Sequence, residues 1–420
     1  MNNQPGSASN VVYKRNIKME ITKNNMQSLL NMIPSIPHEI QVKFTKKYGR
    51  LLDLMQLTVN EFALSALGQY WNPDLRIFKL PHLDTCPIIE EYESFLKMKI
   101  PKLDLVYHHS NLDASERKLL NLLKLKPKSF DLVECREHKG LKRKFIEKCL
   151  NELIQQQDWD GFMPVYALTI YGLLLFPYFV DVIYLAAMEV FYKFEKLGAN
   201  PVSAILAETF LSLQEWRQTT RGQIKCCNKM LYVWIVIHLH VDKYMRGVHY
   251  PLRHFITIRT DVNSKDDWLK EFNEIKPETY CWRCPWYKGE AVVLRCGNFS
   301  SVPLIGPRGC ILYTPALVLN RLKFSQSAIP EEDMKGFAFF YRNYGMYLNT
   351  LEAFKHAWRN AKVYGVGELG KQIITQTPSY EPWREARVKG FVTLSQSVVE
   401  KEVTKTEKEM QNKIDILKPK

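Results

Sequence analysis

Apolar residues are absent as a repeating pattern from residues 1–33, which read as a disordered leader. From Pro37 the pattern turns helical: Phe44, Tyr48, Leu51, Leu52 and Met55 recur at helical spacing. Thr58, with Glu61 three residues on, is placed to open a second helix as a capping box. That helix runs to about Tyr70, and Trp71-Asn72-Pro73 ends it. Residues 75–83 read as an extended or loop piece anchored by Ile77 and Leu80. Helices are then expected at 90–98 and 114–123, within an otherwise loop-rich stretch from 101 to 130. From Leu141 a helix carries Phe145, Ile146, Cys149, Leu150 and Leu153 toward the core. Further helices are expected at 180–196, 201–219 and 222–239, with Asn200-Pro201 as a helix start.

The pattern changes near 290–314. Residues 291–294, 302–305 and 310–313 are short β-type runs, punctuated by Gly297-Asn298 and Gly306-Pro307-Arg308-Gly309 as turns. They predict a hairpin or a small three-strand patch, after which helices resume at 315–322 and 349–362. From Ser395 the chain is charged and lacks aromatics. Val403, Met410 and Leu417 repeat at seven there, with Val399 and Ile414 as partial partners. Residues 395–420 therefore read as a helical tail, either the start of a coiled coil or a solvated helix. The fold class is mainly α: a multi-helix globular domain over 34–394, a small β patch, and the tail.

One stretch bears on the setting of the chain. Residues 161–180 carry no charge, which is about the length that spans a bilayer. Pro164, Gly172, Pro177 and three tyrosines interrupt it, and no Lys/Arg cluster flanks it. A buried pair of core helices broken near Pro177 fits better than a membrane segment. The nine cysteines, an odd number, and the polar N-terminus point to a reduced intracellular setting, nuclear or cytoplasmic.

The formal charge of +14 favours a polyanion partner. Half of that excess lies between Arg117 and Lys148, where eleven Lys/Arg face four Asp/Glu. Lys139, Lys142, Arg143, Lys144 and Lys148 are its densest part and the candidate nucleic-acid contacts, since clustered cations neutralise phosphates without reading sequence. The alternative is a solvated face opposite the Phe145/Cys149 stripe.

Three other constellations fail on context. Gly365-Val366-Gly367-Glu368-Leu369-Gly370 spells GxGxxG, but a dinucleotide site needs a strand before it, and residues 351–363 are helical in pattern. The string reads instead as a helix-terminating loop. Cys281 and Cys284 have the spacing of a thiolate pair, the weak metal candidates here. Cys296 and Cys310 lie too far apart to make the second pair, leaving His249 and His254 as substitutes, and buried apolar thiols are favoured. His238 and His240 are two apart and point to different sides of a helix. The chain has no P-loop, no GxSxG elbow, no aspartic-protease triplet and no zinc knuckle. No cofactor is implied, and the sequence reads as a non-enzyme.

Several longer strings act as a set. Tyr70-Trp71-Asn72-Pro73 precedes Arg76 and the Pro-Ile-Ile-Glu-Glu-Tyr run ending at Tyr92. Asp158-Trp159-Asp160-Gly161-Phe162 leads into the Ala167–Pro177 block. Arg221-Gly222, Cys226-Cys227 and Trp234 follow, then Val302 through Gly306, Arg308-Gly309, Tyr313-Thr314-Pro315, Trp358, Gly367 through Lys371, and Trp383. Together, from about residue 34 to 392, they resemble a plant-specific domain of unknown function. It is common in legume proteins linked to retrotransposons and is similar to the plant mobile domain or aminotransferase-like group. The resemblance implies a mainly helical, mobile-element-associated domain, often followed by a coiled-coil tail, with no established reaction. No residue marks a lysine as a pyridoxal-phosphate Schiff base, so the aminotransferase-like label adds no chemistry. Tyr178-Phe179 departs from the more polar turn expected after Pro177.

The expected function is that of a structural or interaction protein. It would bind nucleic acid through the basic segment and self-associate through the C-terminal helix. An enzyme with an unrecognised site, or a membrane-associated protein through 161–180, is the alternative.

Overall fold

The computed structural model describes residues 19–98, 105–110, 112–135, 138–218, 223–240, 262, 264–277, 279–281, 291–299, 301–322, 338–341, 344–365 and 382. Helices dominate, and one hydrophobic core runs from Met26 to Trp358. The tail after Ser395 lies outside the described residues.

The expected leader is folded from Met19 onward. Strand β1 (Glu20–Ile21) pairs in parallel with Gln223–Ile224, and α1 (Gln27–Met32) follows. Met26, Leu29 and Met32, three apart, are buried. Flanking Asn and Gln residues mask that spacing in the sequence. The helical period after Pro37 is split into α2 (His38–Tyr48) and α3 (Leu51–Gln56). Gly49 makes the break at φ +63°, where a Cβ would lie 2.1 Å from the Leu96 carbonyl oxygen. Helix α4 (Glu61–Gly68) is capped by Asn60, not Thr58. The Asn60 side-chain oxygen accepts from the Phe62 and Ala63 N–H groups, the reach an N-cap needs.

Strands β2 (Trp71–Asn72), β3 (Ile77–Lys79) and β4 (Asp84–Thr85) form an antiparallel sheet, of which β3 lies in the 75–83 piece expected as extended or loop and the other two flank it. Helices α5 (Ile89–Leu96) and α6 (Leu112–Leu122) come next. The basic run then departs from its expected form. β5 (Leu132–Cys135) and β6 (His138–Lys142) make a hairpin, and the helix α7 (Arg143–Gln155) starts only after it. The third strand of that sheet, β7 (Val182–Tyr184), pairs with β6 from forty residues downstream, which no local pattern reports.

Helix α8 (Trp159–Ile170) begins where a turn was expected, with Asp158 accepting from the Gly161 N–H. It widens into a π-turn over Tyr171–Leu175 and stops before Pro177. The uncharged block is thus one core helix with its π-turn and the turn that leads to β7, rather than a helix pair. Residues 165–176 are all buried. Gly172 lets β7 approach, since a Cβ there would sit 2.6 Å from the Ile183 side chain. No helix among the described residues is long and apolar enough to cross a membrane.

Helices α9 (Leu185–Leu197) and α10 (Val202–Gln218) pass through the core, followed by β8 (Gln223–Ile224), α11 (Asn228–His240) and α12 (Lys265–Glu274). The β patch near 290–314 divides between two sheets. β10 (Val302–Ile305) and β11 (Gly309–Tyr313) form the expected hairpin, but its third strand is β12 (Ala338–Phe340). The run expected beside them, β9 (Ala291–Cys296), pairs instead with β13 (Ala361–Gly365), which follows α13 (Tyr344–Arg359). A strand therefore precedes the Gly365–Gly370 string, correcting the helical expectation. Its partner is antiparallel, so the parallel βαβ context of a dinucleotide site is not formed by β9 and β13.

Gly49→Ala should lower stability by about 2 to 3 kcal/mol, because it adds both a left-handed backbone strain and a clash with the Leu96 carbonyl. Urea unfolding followed by tryptophan fluorescence measures this. A neutral result would mean that the α2–α3 break relaxes freely.

Candidate functional site

A concavity among the described residues lies on the basic segment. It is a groove of about 870 Å³ between the end of α6, the 123–131 loop, α7 and the start of α8. Helix α7 is amphipathic in a way that builds it. Ile146 and Leu150 enter the core, and Phe145, Cys149 and Leu153 sit half-buried along the groove floor. Lys144, Lys148, Glu152 and Gln156, each four residues apart, follow one another along its rim. Lys124, Lys126 and Lys128 arrive from the loop. Glu152, Asp158 and Asp160 gather where α7 ends and α8 starts, so the rim changes sign along its length. Beside the lysines Phe130 is 64% exposed. The Lys128 ammonium lies 5.8 Å from its ring, and the Lys142 ammonium donates to its carbonyl oxygen.

The five candidate cations do not act together. Lys144 and Lys148 line the groove, and Lys148 makes only a loose, exposed pair with Glu152 at 3.8 Å. Lys139 and Lys142 are exposed on β6. Arg143 turns inward, and this corrects its assignment as a nucleic-acid contact. Its guanidinium bonds Glu147 at 2.7 Å, Asp181 at 2.9 Å and the Ser28 hydroxyl at 2.6 Å, anchoring α7 to α1 and to the turn before β7. Lys124, Lys126 and Lys128, spread through a loop, line the groove. Their even spacing of two, around Leu125 and Pro127, was the available signal.

Of the Cys281/Cys284 pair, only Cys281 lies among the described residues. Cys281 is half-buried, and its backbone N–H donates to the His238 carbonyl at 2.8 Å. Cys284, His249 and His254 lie outside the described residues. Cys296 and Cys310 are buried in separate sheets. No group of three His, Cys, Asp or Glu residues among the described ones is arranged to hold a metal.

The family model described as "Domain of unknown function (DUF7745)" matches residues 27–389. The chain belongs to this family. The match begins at α1 and takes in every wall of the groove. No curated protein and no solved structure matches the chain.

Inside the DUF7745 domain four glutamates are buried among the described residues, two of them, Glu90 and Glu91, in the Pro-Ile-Ile-Glu-Glu-Tyr run. Glu91 accepts from the Trp234 indole at 3.0 Å and from the Ile88 N–H at 3.2 Å, while its other oxygen meets His238 Nε2 at 3.0 Å. His238 Nδ1 faces the Cys281 carbonyl oxygen, so that nitrogen carries a proton. The Glu91–His238 pair must then share one further proton between them, because a bare imidazole nitrogen would repel a carboxylate oxygen. Glu189 accepts from Tyr107, from the Ser110 N–H at 2.7 Å and from the Ser110 hydroxyl at 2.8 Å. It also pairs with His109 and Lys193, each at 3.1 Å. Burial would raise its pKa, but His109, Lys193 and Tyr107 overcome this and hold it at about 2. Glu208 accepts from Tyr178 at 2.6 Å and from Arg308 at 2.7 Å. Burial pushes its carboxyl up, against the opposing Arg308 N–H. Among the described residues Glu90 accepts from the Val293 N–H at 2.8 Å, and burial pushes it up to about 8 against that bond.

Glu90 and Glu189 should give opposite pH dependences. Folded Glu90 keeps its proton while the unfolded chain loses it above pH about 4.5, so its contribution to stability falls as pH rises from there to about 8. Glu90→Gln keeps the oxygen facing Val293 and removes that slope, gaining on the order of 4 kcal/mol relative to wild type by pH 8. Glu189 is the reverse. Its contribution of about 3 kcal/mol is present above pH about 4.5 and is lost as pH falls toward 2, and Glu189→Gln abolishes it. Denaturant midpoints across pH check both, and parallel slopes for wild type and either variant would refute the corresponding assignment.

Proposed function

We propose that this DUF7745 protein is a binding and assembly protein that holds single-stranded nucleic acid against the lysine end of the α7 groove. The observation that carries the proposal is Phe130: a ring 64% exposed, set among Lys124, Lys126, Lys128, Lys144 and Lys148. An exposed aromatic flanked by cations suits an unpaired base that stacks while its phosphates are neutralised. Duplexes offer no free base face there. The acidic end, at Glu152, Asp158 and Asp160, limits the phosphate track to the lysine half. The overall charge of +14 supports a polyanion partner. So does the resemblance to retrotransposon-linked plant proteins, in a reduced nuclear or cytoplasmic setting.

Binding is favoured over catalysis by the state of the acids. Glu91, Glu189 and Glu208 are sealed from solvent and occupied by donors from their own chain. A general acid or base must reach substrate within hydrogen-bond distance. Assembly through the C-terminal segment is the second half of the proposal, supported by the seven-residue repeat of Val403, Met410 and Leu417.

Fluorescence anisotropy with a labelled oligothymidylate or oligouridylate, over a salt series, tests the nucleic-acid half. Phe130→Ala should weaken binding by about 1 to 3 kcal/mol. Lys144→Ala and Lys148→Ala should each flatten the log–log salt dependence by roughly 0.7. A duplex of equal length should bind more weakly. Absence of binding at about 50 mM salt, or no effect of Phe130→Ala, removes this half of the proposal.

A further inference from the structure

We infer that the ligand of the α7 groove is the short unpaired loop of a nucleic-acid hairpin, whose backbone turns at Phe130 and sends one arm along each of two lysine rows. This rests on the single-strand reading and gives its ligand a shape.

The two rows follow from the topology of the β5–β6 hairpin. Its strands pair antiparallel, with Leu132 opposite Leu141, so the chain before β5 and the chain after β6 leave from the same end. The chain before β5 carries Lys124, Lys126 and Lys128, and the chain after β6 is α7, with Lys144 and Lys148. Phe130 stands where they part: its carbonyl oxygen accepts from the ammonium of Lys142, the residue before α7. From there the rows run along separate segments that line one groove. In the loop, Lys124, Lys126 and Lys128 are exposed while Leu125 between the first two is buried, so alternate residues turn their ammonium groups outward. On α7, Lys144 and Lys148 stand about one turn apart, roughly 6 Å along the axis. Asp131, beside Phe130, is turned to its own backbone and accepts from the Lys128 N–H at 2.9 Å.

Both rows are short. Past Lys148 the same face of α7 continues with Glu152 and Gln156, and Asp158 and Asp160 follow at the start of α8. Past Lys124 the wall is apolar, through Leu123 and Leu122. A phosphate backbone that kept straight along α7 would meet carboxylates, and it would leave the other row unused. A backbone that reverses at the junction uses both rows, sets the base at its turn on the Phe130 ring, and leaves the groove before the acidic end. At one phosphate per lysine the track holds about five phosphates, the size of a small hairpin loop. A linear strand must give up conformational freedom to make that reversal. A closing stem imposes it in advance, and such preorganisation raises affinity without adding a contact.

Fluorescence anisotropy on the full-length protein tests this with labelled DNAs of equal nucleotide count. The probes are a hairpin with a loop of about six thymidines on a G·C stem, linear oligothymidylate, and a blunt G·C duplex. The hairpin should bind at least about tenfold more tightly than the linear strand, and the duplex more weakly than either. A hairpin that binds no better than the linear strand overturns the inference and leaves the single-strand reading standing. A duplex that matches the hairpin overturns it too, since the stem is then the ligand. No binding of hairpin or linear strand removes both readings. The salt dependence supplies an independent measurement. Lys126→Ala/Lys128→Ala and Lys144→Ala/Lys148→Ala should each flatten the hairpin's log–log salt slope by roughly 1.4, because both arms are neutralised. A slope that responds to only one of the two double variants means a straight track and overturns the inference.

Discussion

A polar group drawn away from water must find its partners within the protein, and half-buried Arg308 supplies them to the buried face of α10. Its guanidinium bonds Glu208 at 2.7 Å, Glu215 at 2.8 Å and the Ser212 hydroxyl at 3.0 Å. These three residues are one polar stripe on an otherwise buried face of α10. The guanidinium also lies 4.5 Å from the Tyr178 ring centroid, over the turn that ends the apolar block. Because Arg308 sits in the β10–β11 turn, its pairing fixes that hairpin against α10. Tyr341 extends the arrangement, since its N–H donates to the Arg308 carbonyl and its hydroxyl to that of Gly306. The His109 ring stacks on Tyr341 at 3.9 Å and leads into the Glu189 cluster on α9. Removing Arg308 would leave the fully buried Glu208 without its guanidinium donor.

The division between interior and surface follows from this. The buried glutamates are occupied in joining segments of the fold: Glu91 links α5 to α11, Glu189 links α9 to residues 107–110, and Glu208 links α10 to the β10–β11 turn. Groups left available to ligands gather where α6, α7 and α8 leave a groove between them. Arg143 marks the boundary: it belongs by sequence to the basic cluster, yet Glu147, Asp181 and Ser28 draw it inward. Lys124, Lys126, Lys128, Lys144 and Lys148 remain exposed around Phe130, with Lys139 and Lys142 on β6 beside them.

Much of the helical framework was legible from local pattern. Helices α2, α3, α7, α9, α10 and α11 lie within the stretches whose apolar spacing predicted them, apart from shifted ends. Such stripes are visible because a helix repeats its buried face every three or four residues. Helix α12 was missed, although Trp268 and Phe272 on its buried face are four apart, because it has only that short stripe among charged neighbours. The β-sheets were legible only as apolar runs. Pairing of β6 with β7, or of β9 with β13, joins residues forty to seventy apart, and no local period encodes a partner.

Composition and spacing alone determined that the chain is mainly α, that its cations cluster between Arg117 and Lys148, and that its uncharged block is interrupted by prolines. These are properties of short windows, where side-chain chemistry and helical geometry act directly. Tertiary structure decided which of those cations remain exposed, which glutamates are sealed, and that lysines from a loop and a helix face one groove. Burial and pairing are set by segments distant in sequence, and a residue's surroundings exist only once those segments have packed.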